Sequence, residues 1–110
     1  MEQESSRLKK RSANTDDVIA AWLNISVRTL RNYRKPENQI KDNIKEHALL
    51  LMSLFVHGID VFGDAEKFNE WLGAENFFLD GQSPSSLLRT VSGIRFVNDR
   101  LQAMEYGDNV

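Results

Sequence analysis

Hydrophobic positions along the chain recur at spacings of three and four, and the polar residues between them are those that start and stop helices. Val18, Ile19, Trp22 and Leu23 form the first such stripe. Asn14 or Thr15 can cap its free amides, and Asp16 and Asp17 favour the positive end of the helix dipole. Asn24 tolerates the left-handed conformation that closes a helix, so the element is expected to end there. Ser26 then caps a second short helix over Val27 to Arg34, and Pro36 stops it from running further.

A longer helix is predicted from Ile40 to Ile59. Ile40, Ile44, Ala48, Leu51, Phe55 and Ile59 make one apolar stripe, which Leu49, Leu50, Met52, Leu54 and Val56 widen nearly all round. Such a helix is central to a core or shared between two subunits. The expectation is a homodimer joined along Leu50 to Val56, with Leu50, Leu51, Leu54 and Phe55 at its interface. Gly63 breaks the chain, and Asp64 can cap a helix carrying Phe68, Trp71 and Leu72. Residues 73–82 read as a loop. Ser83 followed by Pro84 is a helix start that buries Leu87 and Leu88. A last helix begins near Thr90, shows Ile94, Val97, Leu101 and Met104 on one side, and ends near Gly107. No alternating β-branched run is bounded by hairpin turns, so the fold class is all-α. A small N-terminal helix-turn-helix is joined by the long central helix to a helical C-terminal domain. Residues 1–12 read as a flexible polar arm, 13–60 as the helix-turn-helix with its connecting helix, and 61–110 as the C-terminal domain.

Composition narrows the function. The chain has 110 residues, enough for one core but not two large independent ones. It has no cysteine, which excludes disulfides, thiolate zinc sites and cysteine nucleophiles and suits a reducing compartment. The start Met1-Glu2-Gln3-Glu4 is acidic and polar, unlike a secretory signal, and the most apolar stretch, Ala48 to Val56, is far too short for a membrane span. A cytoplasmic location is expected. The net charge of −2 hides a split. Residues 1–45 hold ten basic and six acidic side chains, a balance of +4, and residues 46–110 hold four and ten, a balance of −6. One half is suited to a polyanion and the other to a different partner.

The basic half holds the one constellation that fits a binding motif. In Ile19 to Lys35, Ala20 supplies the small residue where two helices cross, and Asn24 the positive-φ turn position. Ile25, Leu30 and Tyr33 supply the apolar anchors after the turn. Ser26, Arg28, Thr29, Arg31, Asn32, Arg34 and Lys35 are then the candidate DNA-binding residues. All can donate to phosphates, and Arg and Asn also read guanine and adenine edges. DNA binding is the favoured reading, and a helical hairpin with a solvated basic face is the alternative. Leu8-Lys9-Lys10-Arg11 could add phosphate contacts or be an ordinary solvated tail.

Catalytic constellations are poor. His47 and His57 are ten residues apart on one predicted helix, about 15 Å, and cannot share a metal within one chain. Asp60, Asp64 and Glu66 are explained as helix-start acids, and the six glycines are spread singly and make no phosphate loop. No catalytic residue, metal ligand or cofactor is assigned, and no small-molecule substrate or membrane partner is expected.

With the second half added, residues 15 to 108 resemble the Xre/MbcA/ParS antitoxins of RES–Xre type II toxin–antitoxin pairs. Leu23 to Arg34 resembles the family's generic helix-turn-helix. Three more specific segments follow in order: Val61-Phe62-Gly63-Asp64 with Glu66-Lys67 and Trp71-Leu72, then Gly81-Gln82-Ser83-Pro84 with Leu87-Leu88 and Thr90, then Gly93, Val97, Leu101 and Glu105-Tyr106-Gly107. The loop Gly73 to Asp80 departs from the family's wording. The resemblance implies an antitoxin that dimerises, silences a RES-domain toxin that consumes NAD, and represses its own operon by binding operator DNA. It marks Glu105, Tyr106, Gly107 and Asp108 as the toxin-binding candidates, because the terminal segment is polar and follows the family's ending. A stand-alone dimeric regulator is the alternative.

Overall fold

The computed structural model describes residues 4–107. Six α-helices and two short 3₁₀ segments account for the regular structure among them, with no strand, so the fold is all-α. In chain order these are α1 (Glu4–Ser12), α2 (Asp16–Leu23), α3 (Val27–Tyr33), α4 (Asp42–Phe62), α5 (Ala65–Gly73), 3₁₀ segments at Phe77–Leu79 and Pro84–Leu87, and α6 (Val91–Glu105).

Most helix ends follow from local chemistry. The Thr15 hydroxyl accepts from the Val18 amide, and Asn24 closes α2 with φ of 60°. Ser26 accepts from Thr29 N, Asp64 from Lys67 N and Thr90 from Gly93 N, each capping the helix that follows. Pro84 opens its 3₁₀ segment at a position where the missing amide costs nothing. Gly63, at φ 98°, lets the chain leave α4 and turn into α5.

α4 is the centre, packing against α1, α2, α5 and α6. Leu51, Leu54 and Phe55 are sealed inside, joined by Ile19, Trp22 and Leu23 from α2, Leu30 from α3, Phe68 and Leu72 from α5, and Ile94, Val97 and Leu101 from α6. This burial corrects the expected dimer interface. Three of its four residues are spent on the chain's own core, and Leu50 is half-buried against it. The exposed apolar residues of α4 are Leu49 and Val56. An all-round apolar helix is what a small bundle needs when neighbours cover three sides of it.

Residues 4–12 are a second correction, because they form a helix and not a polar arm. A single leucine decides it: Leu8 is fully buried in the core against α4. Hydrogen bonds fix the C-terminal end. Ser12 is buried, and its carbonyl accepts from Asn69 Nδ2 at 2.7 Å and Asn14 Nδ2 at 3.2 Å. Asn14 Nδ2 also donates to Asn69 Oδ1 at 2.9 Å, tying the α1–α2 joint to α5. The expected boundary at residue 60 therefore lies inside α4, and one core runs through both halves.

Candidate functional site

Two surfaces stand on this core. The first is α2, its three-residue turn and α3. Ala20 is buried where the helices meet, and the Asn24 side chain donates to Arg89 O at 2.9 Å, pinning the turn to the segment before α6. Leu30 anchors α3 inward, which leaves Arg28, Arg31, Asn32 and Lys35 exposed. Ser26 and Thr29 are occupied in part by capping, since the Ser26 hydroxyl accepts from Thr29 N at 3.0 Å and donates to Thr29 Oγ1 at 2.9 Å.

Arg31 and Arg34 are held by the protein itself. Asp16, buried at the start of α2, lies 2.8 Å from an Arg34 terminal nitrogen, 3.2 Å from Arg31 Nε and 3.6 Å from Lys9 Nζ. The Arg34 guanidinium holds the Asp16 carboxyl at a pKa of about 2, against the opposing effect of burial and with help from Arg31 and Lys9. One carboxylate thus joins α1, α2 and α3. In the sequence Asp16 reads only as a helix-start acid, because Arg31 and Arg34 lie 15 and 18 residues downstream and meet it only when the hairpin closes. Lys10 and Arg11 line an open groove between α1 and α4 with Arg7, Met52 and Val56.

The second surface is built from α5, the 3₁₀ segments and α6. Its interior is aromatic: Phe68 packs edge-on to Phe55 at 5.0 Å, and Phe62 lies 5.8 Å from Phe68 and 5.6 Å from Trp71. Two glycines have packing reasons. A Cβ on Gly58 would run into the Phe68 ring, and one on Gly93 into the Leu87 carbonyl. The loop 73–82 contains its own 3₁₀ turn, whose Leu79 is buried.

Both histidines serve packing between α4 and the C-terminal segments. His47 is buried, and its Nε2–H donates to Leu88 O at 2.9 Å. His57 Nδ1 lies 2.7 Å from Asn98 Oδ1, and its Nε2 2.9 Å from Glu105 Oε1. Burial alone would lower the His57 pKa, but the bonds to Asn98 and Glu105 and the charges of Glu105 and Asp60 outweigh it and raise it above the usual value. Of the proposed toxin-contact residues, Glu105 is therefore engaged by His57, Tyr106 is 87% exposed and Gly107 takes φ of 87°. Asp108 lies outside the described residues. Among the described residues no three His, Asp or Glu side chains are grouped to hold a metal, and no single helix is long and apolar enough to cross a membrane.

Both surfaces stand on one helical core. Residues 57–107 match the family model of the antitoxin Xre/MbcA/ParS C-terminal toxin-binding domain. The match begins in the last turns of α4 and takes in α5, both 3₁₀ segments and α6. It supports the antitoxin family, and with it a toxin as partner. A comparison with curated proteins found no match.

Proposed function

We propose that this protein is the antitoxin of a RES-domain, NAD-consuming toxin and that it represses its own operon. The match of residues 57–107 to a toxin-binding domain supports the antitoxin role, and the RES toxin and the operon come from the resemblance of the sequence. The toxin is bound by the second surface, with the segment from Tyr106 onward at its entrance. The operator is bound by α3, through Arg28, Asn32 and Lys35, with Ser26 and Thr29 at the helix start. Arg31 joins them through the exposed part of its side chain, while Arg34, largely covered and bonded to Asp16, positions the end of the helix. The protein acts as a homodimer, and since Leu51, Leu54 and Phe55 are buried, the α4 edge carrying Leu49 and Val56 is the apolar face open to a second copy.

Co-expression with the neighbouring open reading frame tests the reading. The two products are expected to co-purify, and the antitoxin to restore growth and cellular NAD that the partner alone depletes. Growth arrest without NAD loss would refute the RES assignment, and no complex would leave a stand-alone regulator. For the DNA surface, Arg28→Ala with Asn32→Ala should weaken operator binding about 10-fold or more while the toxin complex survives. Unchanged operator affinity would refute the assignment of α3.

A further inference from the structure

We infer that Phe77, Phe78 and Phe96 form an aromatic patch around Arg100 that docks the toxin, a contact distinct from the chain terminus; the inference rests on the antitoxin reading above. Among the described residues the exposed aromatic side chains are Phe77, Phe78, Phe96 and Tyr106, and all four fall inside the matched toxin-binding segment. Phe77 is 89% exposed, Phe96 53% and Phe78 44%. Single exposed apolar residues are ordinary, but neighbouring aromatics on one small face mark a binding surface.

They are neighbours here. Phe77 and Phe78 pack edge-to-face with centroids 5.6 Å apart. The Arg100 guanidinium carbon sits 4.0 Å above the Phe78 ring centre. Phe96 and Arg100 are four residues apart on α6, hence on one face of it. The patch thus spans the loop and the last helix.

The loop is built to hold this display. Leu79 points into the protein, while the Asn76 side chain accepts from Phe78 N at 2.9 Å. The Asn76 carbonyl accepts from Leu79 N at 3.0 Å and Gly81 N at 2.9 Å, and its amide donates to Gln82 O at 3.1 Å. Asp80 and Gly81 both take positive φ to close the turn. A self-bonded turn that buries one residue and turns two phenylalanines outward presents anchors with little left to order on binding. The partner's matching surface is an apolar pocket.

The test uses the full chain with the toxin of its operon. Phe77→Ser, Phe78→Ser and Phe96→Ser are measured singly for toxin affinity, for melting temperature and for mass in solution, with Glu37→Ser, at an exposed position outside both surfaces, as a control. The expected result is binding at least 10-fold weaker for two of the three, with melting and mass unchanged and the control unaffected. Wild-type binding that survives all three variants overturns the patch and leaves the antitoxin reading standing. A change of mass without loss of toxin affinity overturns it in favour of a self-association surface. A wild-type chain that binds no toxin overturns the antitoxin reading itself.

Discussion

Replacing Asp16 by Asn keeps the shape of the joint between α1, α2 and α3 and removes its charge. The carboxyl, at about 2 in the folded protein against an ordinary 3.8, is favoured by nearly two pH units in its charged form. That corresponds to a ceiling of about 2–3 kcal/mol. Arg31 and Lys9 are exposed and screened by solvent, whereas Arg34, at 2.8 Å and 20% exposed, is not. A cost of about 1–2 kcal/mol at neutral pH is therefore expected, a fall in melting temperature of roughly 4–16 °C for a domain of this size. The sign with pH follows from the depressed carboxyl: its stabilisation is present above the unfolded value near 4 and is lost as pH falls toward 2. Urea unfolding followed by circular dichroism at pH 7, 4 and 3 reads both effects. A variant as stable as the parent at pH 7, or a deficit that does not shrink on acidification, would refute the clamp.

Leu8→Ala should cost about 2–5 kcal/mol, the effect of truncating a buried leucine, where an arm residue would cost almost nothing; the same unfolding assay decides. Gly58→Ala should destabilise by about 1–3 kcal/mol although Ala is the better helix former, because its Cβ meets the buried Phe68 ring; a rise in melting temperature would contradict the packing. His57 should titrate above 6.5 by NMR. Its contribution is full below 6.5 and fades as pH rises through the folded value, and Glu105→Gln should bring the titration down.

Much of this architecture was legible in the sequence where local chemistry sets it. Thr15, Asn24, Ser26, Asp64 and Thr90 do at helix ends what their side chains predict. What was not legible depends on partners distant in sequence. One leucine among charges does not announce a helix, yet Leu8 and the Ser12–Asn69 bond dock α1. The apolar middle of α4 suits a subunit interface or a bundle centre equally well, and only α1, α5 and α6 around it decide for the centre. Arg28, Asn32 and Lys35 lie exposed, but nothing in the order of residues shows that Asp16 holds Arg31 and Arg34. The aromatic patch was hidden because Phe77-Phe78-Leu79 reads as a uniform apolar run, and only the 3₁₀ turn sends one residue in and two out.

Hydrogen exchange on the full chain, free and with the toxin of its operon, decides whether the C-terminal surface is where the toxin binds. Slowed exchange is expected within 57–107, concentrated in 76–82 and α6, with α2 and α3 unchanged. Protection confined to α2 and α3, or none anywhere, would contradict it.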